Sequence, residues 1–251
     1  MLKISILGSS NAVPDQIHDH THFVIEGNET LVLVDCGSNP LVKLGRLGLS
    51  IHKLSDIIIT HFHPDHVGGL ASLLMDMWLL GKEKPVSIHG LPETLEKIES
   101  MMDLYDWKRW QGFYPVVFHP LSEHGMGQVL VTPEMEIESS KMCHMIPSVG
   151  IRVKAAASGK VLAYSSDTEP CEQVIQLAWH ADDLFHEANG AGIGHSSAFQ
   201  AGETASKAGV KNLYLIHYPT GDFQNDDIVR EAATRFDGIV KLAVDNLTIE
   251  L

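Results

Sequence analysis

The stretch Asp56-Ile57-Ile58-Ile59-Thr60-His61-Phe62-His63-Pro64-Asp65-His66-Val67-Gly68-Gly69-Leu70 runs a string of β-formers into three imidazoles and a carboxylate. Imidazole nitrogen and carboxylate oxygen are common zinc ligands, and imidazole suits several first-row metals. His61 and His63 can project to one side of an extended strand end, and Asp65 and His66 lie one turn further on. So many ligands in one short loop can serve two neighbouring metal ions. The alternative is a solvated surface cluster of histidines, which the spacing disfavours.

Outward from this loop, strand-like and helix-like segments alternate along the whole chain. Residues 5–7 read as a strand entering a Gly8-Ser9-Ser10-Asn11 turn, and 22–25 and 31–35 flank Gly27-Asn28 as a hairpin. A short helix is expected over 39–47, a buried strand over 57–60, and a strongly apolar helix over 67–80 ended by Gly81. A strand at 86–89 precedes a helix opened by Pro92 and running to about 104. After Tyr114 strands are expected at 116–118, 129–131, 135–137 and 149–153, with a tight Ser158-Gly159-Lys160 hairpin leading to 161–164. Helices near 171–178, 198–208 and 226–236 then alternate with strands at 183–185, 213–216 and 239–240. No repeat, low-complexity tract or linker divides residues 1–251, so one domain is expected. The element order fits an αββα sandwich, two mixed β-sheets packed face to face with helices outside.

A chain of 251 residues, 44% hydrophobic, can bury a substantial core and reads as soluble and globular. No apolar run approaches the ~20 residues of a membrane helix. The N-terminus reads as a first strand rather than a signal peptide. Cys36, Cys143 and Cys171 are scattered, which is no disulfide framework and points to a reducing, cytoplasmic setting. Cys143, beside His144, is either a soft ligand or a small buried residue. A formal charge of −14 gives little long-range attraction for polyanions and disfavours a large nucleic-acid footprint.

A metal pair needs further ligands, and three polar residues follow apolar strands: His144, Asp167 and His217. Each alone reads equally well as a cap or turn former. Together, downstream of the His-rich loop, they read as ligands, and Asp167 can bridge two ions while reducing their repulsion. With Asp35-Cys36-Gly37, the loop from His61 to Leu70, His144, Ser166-Asp167-Thr168 and His217, the whole chain resembles the metallo-β-lactamase superfamily. Residues 7–14, Phe185-His186-Glu187-Ala188 and Gly194-His195-Ser196-Ser197 followed by Gln200-Ala201 look like its ribonuclease Z branch. There, short HEA and HS(S/T) motifs supply a catalytic Glu–His arrangement.

The resemblance implies that His61, His63 and His144 hold one metal and Asp65, His66 and His217 the other, with Asp167 bridging. It makes His195 a catalytic acid or phosphate contact oriented by Glu187, with Asp65 in the catalytic set. The chain departs from ribonuclease Z in two places. The basic arm that clamps transfer RNA in that branch has no room, because residues 152–160 pass straight through a tight hairpin. After His217 the family tends to show a Ser and an Arg-Tyr pair, and here Tyr218-Pro219-Thr220-Gly221 carries no Arg.

Two divalent ions about 3.5–4 Å apart can share a hydroxide and lower the pKa of its parent water to near neutrality. Zinc is the expected ion, and manganese or iron would tolerate the same ligands. For a phosphodiester, His195 can protonate the leaving oxygen or bond the non-bridging oxygens, with Glu187 favouring its charged form. Its alternative is a neighbour of a helix N-terminus capped by Ser196 or Ser197. Asp35 either accepts a hydrogen bond from a metal-bound His or ends a strand in a turn. The 8–14 loop either offers N–H groups to an anion or is an ordinary turn. His186 supports the site or is structural. The 101–110 segment, with Met75, Met77 and Trp78, is core, homodimer interface or substrate wall, and Lys108 and Arg109 are phosphate contacts or solvated charges. The expectation is a homodimeric dinuclear phosphodiesterase for a small or nucleotide-like substrate, with transfer RNA possible but disfavoured. Lactone or thioester hydrolysis, or a diiron redox role, are the rivals.

Overall fold

The first half of the chain folds into β1 (Lys3–Gly8), β2 (His22–Glu26), β3 (Leu31–Val34), β4 (Leu54–Ile58), β5 (Val86–Gly90) and β6 (Val116–Pro120). The second half supplies β7 (Met126–Val131), β8 (Met135–Met142), β9 (Ser148–Ala155), β10 (Val161–Tyr164), β11 (Asp183–Glu187), β12 (Asn212–Ile216) and β13 (Ile239–Leu242), and β14 (Thr248–Glu250) closes the chain. The computed structural model describes residues 1–221 and 225–251, with backbone only at 225 and 226. Among these residues the strands form two seven-stranded sheets, ordered β14-β1-β2-β3-β4-β5-β6 and β13-β12-β11-β10-β9-β8-β7. Both are mixed: β3 to β6 and β10 to β13 run parallel, and the remaining neighbours antiparallel.

Burial on both faces explains the run of β-formers before the His-rich loop. Ile58 packs between the sheets with Ile6, Phe23, Val34, Tyr164 and Phe185. Ile57 and Ile59 face outward into a second core with helices α1 (Leu41–Arg46), α2 (Pro64–Val67), α3 (Leu70–Leu79) and α4 (Pro92–Asp103). A strand covered on both sides needs apolar residues at successive positions. On the far sheet α5 (Glu172–Leu177), α6 (Ala198–Ala208) and α7 (Asn225–Ala233) form the opposite outer layer, and alanines of α6 allow a close approach. The αββα sandwich is therefore as expected. No helix among the described residues is long and apolar enough to cross a membrane.

The helix expected over 67–80 is instead two. The Gly69 N–H leaves the helical ladder and donates to the Cys36 carbonyl (2.8 Å), tying α2 to the loop after β3. β14 was not legible: three residues become a strand only by pairing with β1. Parallel topology also decides the 101–110 segment. α4 starts beyond the C-terminal end of β5 and returns the chain to the N-terminal end of β6, whereas His61 and His63 follow the C-terminal end of β4. The segment is thus at the opposite end of the sheet from the His-rich loop and forms no wall there. Met77, Met102 and Trp107 are core, Trp78 stacks on Trp110 (5.2 Å), and Leu104 and Tyr105 are exposed.

Candidate metal centre

Ligand-bearing side chains gather where strands end, in the crevice beyond their carboxyl ends where open α/β sheets bind ligands. His61 and His63 follow β4, and Pro64 opens α2, whose single turn carries Asp65 and His66. His144 is on the β8–β9 loop, Asp167 follows β10 and His217 follows β12. Asp35, Ser166 and His217 adopt left-handed backbone (φ 60°, 53° and 53°), which turns the chain sharply at three strand ends. For non-glycine residues this conformation costs on the order of 1 kcal/mol, and such strain concentrates at functional sites.

Two donor sets hold the seven expected ligands, and a third grouping brings His195 together with Asp167 and His217. His61, His63, His144 and Asp167 form one, and Asp65, His66 and His217 the other, with donor atoms in each within 4.8 Å of one another. Asp167 divides its oxygens between them. Oδ2 is 3.7 Å from His61 Nε2 and 3.9 Å from His144 Nε2, and Oδ1 is 3.5 Å from both His66 Nε2 and His217 Nδ1. Zinc–nitrogen bonds of about 2.0 Å in a tetrahedron place ligand atoms about 3.3 Å apart, a few tenths of an ångström inside the 3.5–3.9 Å found here. His66 Nε2, His217 Nδ1 and Asp167 Oδ1 are buried without hydrogen-bond partners, so the residues present fit divalent ions well. Burial, and then the charge of His66, hold His61 neutral, well below the usual imidazole range. Burial opposes ionisation of Asp167, but His217 and His66 hold its carboxyl well below the usual carboxylate range.

A surrounding layer orients the imidazoles. Asp35, fully buried, accepts hydrogen bonds from His66 Nδ1 (2.8 Å), Thr60 N (2.8 Å) and Thr60 Oγ1 (3.0 Å). Thr60 Oγ1 in turn lies 3.1 Å from His61 Nδ1, so one carboxylate orients a member of each donor set. His144 Nδ1 donates to the Gly194 carbonyl (2.6 Å), and Glu169 Oε1 fixes that loop by accepting from Gly194 N (2.7 Å). Gly194 has φ 80°, and a Cβ there would fall 2.8 Å from His144 Nδ1, so only glycine fits. Gly37 is equally constrained, since a Cβ would meet the Asp65 carbonyl at 1.8 Å.

Beside the cluster, Glu187 ends β11 fully buried. Its Oε1 accepts from Thr168 N (2.9 Å) and His195 Nδ1 (3.0 Å), and Oε2 from Asn189 N (3.1 Å). Burial raises the Glu187 carboxyl; burial also opposes the His195 charge, but Glu187 outweighs it and raises the imidazole. The pair thus retains a proton, with His195 Nδ1 4.0 Å from Asp167 Oδ2. The capping reading of this motif also holds: Ser197 and Gln200 form a reciprocal capping box on α6, while Ser196 Oγ donates to the Thr168 carbonyl.

A family model described as anti-Pycsar protein Apyc1 matches residues 2–241. The chain belongs to that family. This Apyc1-family chain is 27% identical over 307 residues to the ribonuclease Z of Methanothermobacter thermautotrophicus, covering 100% of this chain and 97% of that protein. Its fold matches the metallo-β-lactamase fold protein YhfI from Bacillus subtilis with a TM-score of 0.84 at 20% identity, covering 100% and 99% of the two chains. It matches the short form of human tRNase Z with a TM-score of 0.79 at 22% identity, covering 99% and 98%. The Apyc1-family chain is a ribonuclease Z-like hydrolase of the metallo-β-lactamase superfamily.

Every metal ligand expected from the Apyc1-family sequence falls in the cluster, and Asp35 touches His66. Thr60 and Glu169 had no distinguishing signal, and Gly194 stood out only as part of the motif around His195, because their roles depend on contacts across the fold. Cys143 is exposed, with Sγ 3.9 Å from Gln173 Oε1, and belongs to neither donor set. The 8–14 loop offers less than expected: Ser10 N, Asn11 N and Val13 N already donate to Asp19 O, Tyr218 O and Asn11 Oδ1. Lys108 pairs with Glu99 and Asp103, and Arg109 with Asp106, as solvated surface charges. His186 is buried, donating Nδ1–H to the Glu187 carbonyl (2.8 Å), which is a structural role.

Proposed function

We propose that residues 1–251 act as one dinuclear metallohydrolase domain that cleaves a small or nucleotide-like phosphodiester. The observation carrying this reading is the Glu187–His195 hydrogen bond (3.0 Å) at the edge of the Asp167 cluster. His61, His63 and His144 would hold one divalent ion and Asp65, His66 and His217 the other, with Asp167 shared. Zinc suits this nitrogen and oxygen donor set. When bound, two such ions supply an activated water and polarise a phosphoryl oxygen. The remaining chemistry belongs to the chain. Glu187 keeps Nδ1–H of His195 occupied, so Nε2 faces the substrate and delivers a proton to the leaving oxygen or binds a non-bridging one. Asp65 has its carboxyl lowered to about 2: burial opposes this, but the His217 hydrogen bond and the His66 charge prevail. Ionised at neutral pH, it accepts a hydrogen bond from the attacking water.

A compact substrate is supported by the direct β9–β10 hairpin, which leaves no room for an arm, and by the −14 charge. His195→Ala should cut kcat/KM on bis(4-nitrophenyl) phosphate and cyclic nucleotides by about 100-fold or more at unchanged metal content. Hydrolysis of a lactone should fall far less, and equal losses on both substrates overturn the assignment. The full-length similarity to ribonuclease Z favours a second reading, transfer-RNA 3′ processing. Efficient cleavage of precursor transfer RNA at the discriminator base would establish it. We further infer a cytoplasmic homodimer. Three free cysteines support the compartment, and the exposed apolar side chains Met75, Leu79, Leu80, Leu104 and Tyr105 support the interface. A monomeric mass by light scattering refutes the dimer.

A further inference from the structure

We propose a second ligand site, for a small phosphate-bearing anion, in the cavity at the N-terminal ends of β3, β4 and β5. The cavity holds about 650 Å³ and is lined by Glu29 ahead of β3, by His52, Lys53 and Ser55 at the start of β4, and by Gly81 to Pro85 ahead of β5. Its volume lies within the range of ordinary small-molecule sites. Lys53, Lys82 and Lys84 all line it.

Lys82 is the unusual member. The residue is only 4% exposed, and its Nζ donates one hydrogen bond, to the His52 carbonyl at 3.1 Å. Among the described residues no carboxylate comes within 4.0 Å of the ammonium groups of Lys53, Lys82 or Lys84. Lys3, Lys141, Lys154, Lys160, Lys207 and Lys241 also lack an acidic partner among the described residues, but each is exposed to water, whereas Lys82 is buried. Lys82 is thus a buried ammonium with no counter-charge in a chain of charge −14, and the exposed Lys53 and Lys84 add two more positive charges to the same cavity. Burying an ammonium without a counter-charge is unfavourable, and an anion in the cavity would relieve it. Burial, and then the like charge of Lys84, lower the Lys82 ammonium from its ordinary value.

Lysine ammonium groups are compact point charges that bind phosphate. Three of them match a multiply charged phosphate better than a single carboxylate. Glu29 and Glu83 also line the cavity, so the ligand must direct its charge toward the lysines and a neutral or donor-bearing part toward the acids. The length of β4 separates this cavity from the His-rich loop, about 17 Å for five residues at ~3.3 Å each, so one small ligand cannot fill both.

The metal-loaded full chain is titrated calorimetrically with inorganic phosphate, pyrophosphate and a nucleoside triphosphate, beside Lys82→Met, Lys84→Ala and His63→Ala. Lys84 is exposed, so Lys84→Ala keeps the test valid if Lys82→Met does not fold. Pyrophosphate should bind wild type and His63→Ala alike and bind both lysine variants at least tenfold more weakly. Tighter binding of the triphosphate than of pyrophosphate identifies a nucleotide as the ligand, and equal binding identifies free phosphates; either supports the site. Absence of binding to wild type, unchanged affinity in Lys84→Ala, or binding abolished by His63→Ala overturns it.

Discussion

Asp35→Asn separates ligand orientation from ligand identity, because it removes no metal-binding atom. In the structure one oxygen takes two bonds from Thr60 and the other accepts His66 Nδ1–H at 2.8 Å. For His66 to present a bare Nε2 to a metal, Nδ1 must carry the proton and needs an acceptor. An asparagine has one acceptor oxygen. If it serves His66, the amide NH₂ faces the Thr60 N–H, and a buried donor is left unsatisfied at a cost of about 1–3 kcal/mol. If it serves Thr60, His66 loses its acceptor. The first arrangement lowers Tm by roughly 2–12 °C at 2–4 °C per kcal/mol for a chain of this size. The second weakens metal binding by roughly 10–100-fold, as loss of a carboxylate behind a ligating histidine does. Competition of the purified variant against a graded chelator, with metal counted by mass spectrometry and melting followed by circular dichroism, reads both. A variant that keeps both the wild-type chelator midpoint and the wild-type Tm would show that Asp35 merely ends a strand.

Four further outcomes are expected. Gly194→Ala should lose metal from the His61–His63–His144 set, since the new Cβ would displace His144 from 2.8 Å; full metal occupancy in the variant argues against that contact. Chelation should lower Tm and zinc restore it, by about 2.7 kcal/mol when free zinc is a hundred times its Kd; identical melts with and without chelator contradict a metal centre. Ser197→Ala removes the capping box of α6 and should destabilise by about 1 kcal/mol, visible as a lower urea midpoint at unchanged slope. Burial holds His22 and His186 at a pKa of about 4. The unfolded chain therefore takes up their protons first. Stability is complete above about pH 6.5 and falls toward pH 4, by about 2 kcal/mol per histidine at pH 5. A pH-independent Tm in metal-free protein between pH 7 and 5 would rule this out.

The candidate ligands were legible because metal binding demands particular side chains, and a strand end followed by a polar residue is a local pattern. His61, His63, Asp65 and His66 sit within one loop, and His144, Asp167 and His217 each follow a recognisable strand. The elements were legible for a similar reason, since burial of both sheet faces leaves long apolar runs such as Ile57-Ile58-Ile59. The split between α2 and α3, the strand β14 and the left-handed turns at Asp35, Ser166 and His217 were not, because each depends on a partner distant in the chain.

What the sequence determined by itself is the fold and the chemistry on offer: which side chains are candidates to bind a metal, and which imidazole is the candidate to move a proton. Only the tertiary structure decided how those atoms share work. It divided the Asp167 oxygens between two donor sets, linked His66 and His61 through Asp35 and Thr60, and sent Trp107 and its neighbours to the far end of the sheet. The physical reason is range. Side-chain chemistry and strand patterning are written within a few residues, whereas donor–acceptor pairing and strand direction arise between segments far apart in the chain: Asp35 bonds Thr60 and His66, 25 and 31 residues on, and Tyr164, 129 residues on.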